Sequence, residues 1–206
     1  MKNYIFTLLL LSGISGYSQK KTSFYNERFE AISETTYRSQ IGPGKLDLCF
    51  ENDSLVVCVI VNRKNHGQLD QKDFLKLKSS LSPNQDLNNE LIVIIYYPGK
   101  DKCNDITEPS GGSFFDRDYM RKLKRIASVD HFWIYKDDEN LHYYQPNEGN
   151  WQADKDKLVE QLFFKLHYPC FSTVVIDSKG NYIANFGEFG KTLVWDISKE
   201  LMARGQ

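Results

Sequence analysis

The feature that most limits the possible folds of this chain is the run LIVIIYY at Leu91–Tyr97. An uninterrupted apolar run rich in Ile and Val is typical of a strand buried on both faces, because a strand with one wet face alternates polar and apolar residues. The run stops at Pro98 and Gly99, and a polar loop that carries Cys103 follows. Ligand sites in α/β folds lie at the loops that follow such strands. The sequence therefore predicts a central sheet with a functional loop after Tyr97.

Composition and charge exclude some function classes. The chain has 206 residues, which fits one domain with extensions and is long enough to bury a core without depending on disulfides. Its 26 basic and 27 acidic residues nearly cancel, giving a formal net charge of -1. Because no basic stripe stands out along the chain, we expect no nucleic-acid partner.

The first residues form a targeting pattern. Lys2 is followed by the apolar run YIFTLLLL and then by small and polar residues up to Gln19. This order predicts a secretory signal peptide over residues 1–19, since the apolar run is too short to span a bilayer. We therefore expect an exported protein, periplasmic or secreted, without a transmembrane segment in the mature chain. Disulfides persist in such compartments.

Hydrophobic spacing predicts the elements on either side of the central strand. Before it we expect a helix, a hairpin of two strands, a polar turn region and a second helix. They cover residues 22–39, 46–50 with 55–61, 62–69, and the segment between Asp70 and Pro83. After it we expect a helix, a strand, a helix, two paired strands and a last helix. The second of these helices begins at Asp154, the paired strands meet at the turn of residues 177–180, and the last helix covers residues 192–203.

The order of elements from Leu55 onward is β-α-β-α-β-α-β-β-α. Alternating strands and helices predict parallel strands joined by crossovers, and the tight turn at residues 177–180 makes the last strand pair antiparallel. The sequence therefore predicts an α/β fold with a mixed sheet and helices on both faces. Two long loops are also predicted, at residues 98–113 and 136–153. The second carries Tyr143, Tyr144 and Trp151, either as a recognition patch or folded back over the sheet edge.

Four short segments, together with this order, resemble the thioredoxin-like superfamily and in particular its exported branch. They are VIIYY at residues 93–97, Cys103, Tyr168-Pro169 and VVIDSKG at residues 174–180. The resemblance covers roughly residues 55–203. It implies a thioredoxin-like domain over residues 55–206, preceded by an extension of residues 20–54 that holds a helix and the first hairpin strand.

The chain departs from the redox members of that superfamily at the loop after the central strand. Those enzymes carry Cys-x-x-Cys there, whereas this chain has Lys100-Asp101-Lys102-Cys103. Dithiol exchange needs a second thiol, and none lies within three residues of Cys103. The resemblance also implies a cis bond at Tyr168-Pro169, although the longer spacing from Pro169 to the following turn leaves a trans bond as the alternative.

The four cysteines form two candidate pairs. Cys49 and Cys58 lie on the two arms of the predicted hairpin, either as a bridge or as two buried thiols. The resemblance places the loops of Cys103 and Cys170 side by side, where the two could form a structural bridge, a redox pair or unpaired thiols. His167 and Cys170 are too few for zinc, which needs about four ligands, so we expect neither a metal nor a cofactor.

Two functions follow from these observations. The first is a non-catalytic binding or accessory protein of the cell envelope, which recognises a protein or a small molecule where the loops at residues 97–113 and 167–171 meet. Its candidate binding residues are Tyr97, Lys100, Lys102, Tyr168, Pro169 and Phe171. The alternative is a thiol–disulfide oxidoreductase in which Cys103 attacks, Cys170 resolves and Tyr168-Pro169 presents the substrate backbone.

Overall fold

The computed structural model describes residues 20–105, 117–143 and 150–204, so the predicted signal peptide at residues 1–19 lies outside the described residues. A first, four-stranded sheet has the strand order β2-β1-β4-β3. Its elements are β1 (Lys21–Tyr25), β2 (Ala31–Ile32), the helix α1 (Glu34–Ser39), β3 (Lys45–Glu51) and β4 (Leu55–Asn62). Strand β4 pairs antiparallel with β3, which confirms the predicted hairpin, and parallel with β1.

The predicted helix over residues 22–39 is wrong for most of its length. Only Glu34–Ser39 is helical, with the side chain of Ser33 accepting a hydrogen bond from the backbone N–H of Thr36. Tyr25 ends strand β1, and Phe29 is an exposed turn residue with φ of 60°. The open edge of β4 explains the difference, because it offers backbone partners to a segment whose Thr, Phe and Tyr residues favour strands.

The second sheet has six strands in the order β5-β10-β9-β6-β7-β8. Its strands are β5 (Lys64–Gln68), β6 (Leu91–Tyr97), β7 (Val129–Tyr135), β8 (Trp151–Ala153), β9 (Ser172–Asp177) and β10 (Asn181–Asn185). The helices between and after them are α2 (Gln71–Leu81), α3 (Arg117–Ile126), α4 (Leu158–Phe163) and α5 (Lys191–Arg204). Strand β6 pairs parallel with β7 and antiparallel with β9, so the predicted α/β class with a mixed sheet is confirmed.

One predicted strand lies in a different sheet. Residues 55–61 were expected to start the main sheet, but β4 belongs to the first sheet. The main sheet instead gains β5, in the segment predicted as a polar turn region, and this strand pairs antiparallel with β10. An edge strand of polar residues has no hydrophobic alternation to reveal it, because backbone pairing alone defines it. The domain boundary at residue 55 stays a prediction, and the change of sheet falls between Asn62 and Lys64.

Strand β6 lies at the centre of the molecule, and all of its residues are buried. Ile92, Ile94 and Tyr96 face a core shared with α2, α4 and the first sheet, whereas Val93 and Ile95 face a second core shared with α3 and α5. The helices therefore cover both faces of the main sheet, as predicted. The loop after Tyr97 therefore begins at the end of a strand in the middle of the sheet.

All four cysteines take part in disulfides. Cys49 and Cys58 are opposite each other on β3 and β4, with their Cα atoms 4.1 Å apart. Cys103 and Cys170 join the loop after β6 to the loop before β9, with their Cα atoms 5.2 Å apart. Two disulfides fit an oxidising compartment. Within the described residues, no helix combines the length and the apolar character needed to cross a membrane.

Candidate functional site

Two loops meet where strand β6 ends, and the disulfide between Cys103 and Cys170 joins them. We call residues 98–105 and 166–171 the linked loops. The side chain of Cys103 lies on the outside of this junction, whereas Cys170 is only 7% exposed. The sequence predicted the meeting of these loops only through the resemblance. The predicted site also included residues 106–113, which lie outside the described residues.

The carboxylate of Asp101 connects the two loops a second time. Its Oδ1 accepts hydrogen bonds from the backbone N–H groups of Cys103 at 2.7 Å and Asn104 at 2.9 Å. Its Oδ2 accepts one from the backbone N–H of Cys170 at 3.0 Å and lies 3.2 Å from Nε2 of His167. Burial acts to raise the pKa of Asp101, but the hydrogen bonds from His167 and the backbone outweigh it and hold the pKa below its usual value. Asp101 is therefore ionised at neutral pH.

Further hydrogen bonds fix the first linked loop on the sheet. The buried side chain of Asn104 donates from Nδ2 to the backbone carbonyl oxygen of Gly99 at 3.2 Å. The backbone carbonyl oxygen of Asn104 accepts from Nδ2 of Asn140 at 3.5 Å. The hydroxyl of Tyr97 donates to the carbonyl oxygen of Glu139 at 2.7 Å. These bonds join the loop to the segment that follows β7, so the loop has a defined conformation.

Lys100 lies on the first linked loop, three residues before Cys103. Its Nζ lies 3.2 Å from Glu139 and 3.4 Å from Asp105, and these two carboxylates hold the pKa of the ammonium above its usual value. The ammonium of Lys100 is therefore ion-paired with Glu139 and Asp105. Lys102 is exposed on the same loop.

Gly99 gives the first test of this geometry, because its φ of +103° is unfavourable for any residue with a Cβ. A Cβ at this position would also lie 2.9 Å from Cβ of Asp137. We expect Gly99→Ala to lower the free energy of unfolding by about 1–3 kcal/mol, measured by urea denaturation. Gly42→Ala is the control, because no atom lies within 4 Å of the added Cβ there. Equal changes in the two variants would contradict a constrained loop.

The predicted binding residues divide into buried and accessible ones. Tyr97 is fully buried, with its ring 5.1 Å from that of Phe171, and Tyr168 is 7% exposed and stacks on Phe186 at 4.2 Å. These two tyrosines are therefore part of the packing next to the linked loops and not of their accessible surface. A ligand can reach the others, since two are exposed and two are half-buried. These accessible residues are Lys100, Lys102, Pro169 and Phe171.

The backbone of the second linked loop is also defined. No peptide bond in the described part of the chain is cis, so the trans alternative holds for Tyr168-Pro169 and the cis bond implied by the resemblance is wrong. Cys170 has a φ of 66°, in the left-handed region that residues other than glycine seldom adopt. The loop thus turns sharply between Pro169 and β9.

Aromatic rings flank the linked loops along the edge of strands β7 and β8. Trp151 packs 5.2 Å from Trp133 and 6.1 Å from Phe171, so it folds back over the sheet edge. Of the two possibilities for the aromatic loop, folding back is therefore the one that Trp151 adopts. Tyr143 packs against His142 with ring centroids 3.9 Å apart, and Tyr144 lies outside the described residues.

A narrow cleft next to the linked loops was not predicted from the sequence. It opens on the face of β6 that carries Tyr96, and strands, a helix and both linked loops contribute to it. Its lining consists of Tyr96, Pro98, Lys136, Glu160, Phe164, Leu166, His167, Tyr168 and Ser172. The available signal was the hydroxyl of Tyr96 inside an otherwise apolar run, because a buried hydroxyl needs a hydrogen-bond partner.

Comparison of the chain with protein-family models, with curated proteins and with solved structures found no match. The choice between possible functions therefore depends on the chemistry of the linked loops and of the cleft beside them.

Proposed function

We propose that this chain is an exported, thioredoxin-like protein of the cell envelope that binds a protein or small-molecule ligand and does not exchange disulfides. The observation that carries the proposal is the double connection of the linked loops. The disulfide between Cys103 and Cys170 and the carboxylate of Asp101 hold the same two segments together. Two connections at one junction favour a permanent bridge over a bond that opens in each catalytic cycle.

The charges around the disulfide support the same reading. Thiol exchange proceeds through a thiolate, which nearby positive charge stabilises and nearby negative charge disfavours. The ionised carboxylate of Asp101 contacts both cysteine residues, because it accepts hydrogen bonds from the backbone N–H groups of Cys103 and Cys170. The ammonium of Lys100 is directed instead to Glu139 and Asp105. These charges favour the disulfide between Cys103 and Cys170 over a reactive thiolate.

The surrounding fold and compartment are consistent with the proposal. Parallel β7 on one side of β6, with antiparallel β9 and β10 on the other, is compatible with a thioredoxin-like sheet. The predicted signal peptide and the two disulfides support export. The exposed Lys100 and Lys102, with the half-buried Pro169 and Phe171, supply the accessible surface for a ligand.

A thiol titration combined with an insulin-reduction assay tests the proposal. We expect the mature protein to show no free thiol until a reductant is added. In the presence of dithiothreitol, we expect wild type and Cys103→Ser to leave the rate of insulin reduction at the level of dithiothreitol alone. Cys49→Ser is the control, because it opens the other disulfide. Turnover by wild type that Cys103→Ser abolishes and Cys49→Ser keeps would overturn the proposal.

One observation favours thiol–disulfide exchange as a second candidate. Cys103 is exposed and Cys170 is buried, which is the asymmetry expected of an attacking and a resolving thiol. The Cys103 thiolate would attack a substrate disulfide, form a mixed disulfide and release one substrate thiolate. The Cys170 thiolate would then attack the Cys103 sulfur, restore the internal bond and release the second substrate thiolate. The insulin assay decides between the two candidates.

A further inference from the structure

Strand β3 forms one edge of the first sheet, and within the described part of the chain only β4 pairs with it. Sheet edges are places where another chain can pair, so proteins usually keep them short, charged or covered. The edge strands β2 and β8 have two and three residues, and β5 consists of polar residues and a glycine. Strand β3 has seven residues that alternate in polarity, and it contains neither a proline nor a break in its register with β4. Of these four edges, β3 is therefore the one best suited to receive a partner strand.

The backbone of β3 presents unpaired hydrogen-bonding groups on its outer side. Gly44 and Asn52 flank the strand and are hydrogen-bonded to Arg63 and Leu55 at the two ends of β4. Because backbone groups alternate in direction along an antiparallel pair, the even-numbered residues of β3 face β4 and the odd-numbered ones point outward. Three of the outward-pointing residues have backbone groups without a partner among the described residues. They are Asp47, Cys49 and Glu51.

The apolar face of β3 continues beyond the core. Leu46 and Leu48 are buried, whereas Phe50 on the same face is 38% exposed. The disulfide from Cys49 to Cys58 attaches β3 covalently to β4, so the edge strand is held in place before any partner arrives. An edge that is already ordered loses little conformational entropy on pairing.

The charges on β3 identify its partner as a second copy of the same strand. Lys45 lies at one end of β3, Glu51 at the other, and Leu48 midway between them. Antiparallel pairing about a two-fold axis at Leu48 places each Lys45 opposite Glu51 of the second copy, and opposite charges in such cross-strand pairs attract. An axis at Asp47 would place the two Asp47 carboxylates opposite each other, and an axis at Cys49 would place Asp47 opposite Glu51. Charge therefore selects the axis at Leu48.

The other residues of β3 are compatible with the same register. Phe50 lies opposite Leu46 of the second copy, so the exposed ring gains an apolar neighbour. The outward N–H and carbonyl groups of Asp47 and Cys49 exchange hydrogen bonds across the edge. The carboxylate of Asp47, which accepts a hydrogen bond from the hydroxyl of Tyr37, lies opposite the uncharged Cys49 of the second copy.

We propose that this chain forms a symmetric dimer through β3, which joins the four-stranded sheets of two copies into one continuous sheet. The inference goes beyond the proposed ligand-binding function and does not depend on it. Within one chain, Lys45 lies 3.8 Å from Glu27 and Glu51 lies 2.6 Å from Lys20. Exposed ion pairs of this kind contribute little to stability, so the ends of β3 can exchange them for pairs across the edge. Because the contact is one strand wide, the dimer dissociates on dilution.

Analytical ultracentrifugation of the mature, oxidised protein from low-micromolar to millimolar concentration tests the dimer. We expect the mean mass to rise from that of one chain toward that of two. Over the same range, we expect amide hydrogen exchange to slow at Asp47 and Cys49 and to stay unchanged at Leu48, whose N–H faces β4. The mass of one chain at every concentration would overturn the proposal and leave the edge to a strand of a different protein. A dimer without slower exchange at Asp47 and Cys49 would overturn the assignment of the interface.

Charge reversal at the ends of β3 tests the register. Glu51→Lys places lysines opposite each other at both ends of the contact, and we expect the dissociation constant of the dimer to rise roughly tenfold or more. The double variant Lys45→Glu, Glu51→Lys restores both pairs and is expected to dimerise as wild type does. An equimolar mixture of the two single variants is expected to form a mixed dimer for the same reason. A double variant that is as weak as Glu51→Lys would overturn the register.

Phe50→Ala tests the apolar contact in the same register. We expect the dissociation constant to rise roughly fivefold, because each copy loses the contact between Phe50 and Leu46 of the other. Leu75→Ala is the matched control, since Leu75 is 55% exposed on helix α2 and lies outside the proposed contact. Equal effects of the two variants would contradict a contact at Phe50.

Discussion

Replacing Cys103 and Cys170 together with serine is expected to lower the free energy of unfolding by about 4 kcal/mol. The two residues are 67 positions apart in the chain, so their bridge closes a long loop in the unfolded state. Closing a long loop removes more conformational entropy from the unfolded chain than closing a short one, and this entropy is the main source of the expected stabilisation. Urea denaturation of the oxidised wild type and of the double variant measures the difference.

The other disulfide provides the control for this prediction. Cys49 and Cys58 are only 9 positions apart, so replacing both with serine is expected to cost about 2.5 kcal/mol. If instead loss of the Cys103–Cys170 pair costs nothing while loss of the hairpin pair does, the linked loops do not depend on a permanent bridge. That result would favour the oxidoreductase, whose active disulfide has to open without unfolding the protein.

The parts of the fold that the sequence predicted correctly are those with a strong local signal. Strand β6 was evident because its run contains no charged residue, and its burial on both faces follows from that run. Helix α2 was evident because Asp70 is a residue type that favours helix N-caps, an apolar face follows it and Pro83 lies beyond the other end. The structure confirms the cap, since Asp70 accepts a hydrogen bond from the backbone N–H of Asp73 at 2.7 Å. In both cases, the signal lies within the element itself.

The elements that the sequence predicted wrongly depend on backbone partners that are distant in the chain. Tyr25, Phe29 and Ile32 have helical spacing, yet the edge of β4 makes the first of them part of strand β1. Strand β5 has no apolar alternation and exists because β10 accepts it as a neighbour. Backbone pairing of this kind overrides local spacing, and one sequence does not reveal it.

The candidate site shows the same limit. The meeting of Cys103 with Cys170 was one of several alternatives, and it depended on a resemblance that placed their loops at one end of the sheet. The connecting role of Asp101 was not predicted, because its partners lie both next to it and 66 to 69 positions away. An aspartate in a polar loop has no pattern that distinguishes a buried connector from a solvated side chain.

Asp101→Ala is expected to lower the free energy of unfolding by about 3–5 kcal/mol, because it leaves the backbone N–H groups of Cys103, Asn104 and Cys170 without their acceptor. Asp105→Ala is the control on the same loop. The side chain of Asp105 is 57% exposed, and its ion pair with Lys100 is worth about 1 kcal/mol or less. Equal losses in the two variants would contradict a connecting role for Asp101.

The pH dependence of the stability difference between wild type and Asp101→Ala gives an independent check on the role of the carboxylate. The pKa of Asp101 is lower in the folded protein than in the unfolded chain, so the carboxylate stabilises the fold at every pH above its unfolded pKa. As the pH falls from about 4, where an unfolded aspartate titrates, through the lower folded pKa, that contribution is lost. We therefore expect the gap in unfolding free energy between wild type and Asp101→Ala to be constant near neutral pH and to narrow below about pH 4. A gap that is unchanged in acid would show that the carboxylate charge is not what holds the loops.

Combining Asp101→Ala with the serine replacements of Cys103 and Cys170 shows whether the two connections act on one junction. If both hold the linked loops together, removal of the disulfide lets the loops separate and leaves fewer Asp101 hydrogen bonds to lose. The triple variant is then expected to be more stable than the sum of the separate losses predicts, by about 0.5–3 kcal/mol, as for residues that share one contact network. Strict additivity would mean that Asp101 orders its own loop alone. The accessible residues Lys100, Lys102, Pro169 and Phe171 would then lie on two independently held segments, and a single binding surface across the linked loops would lose its physical basis.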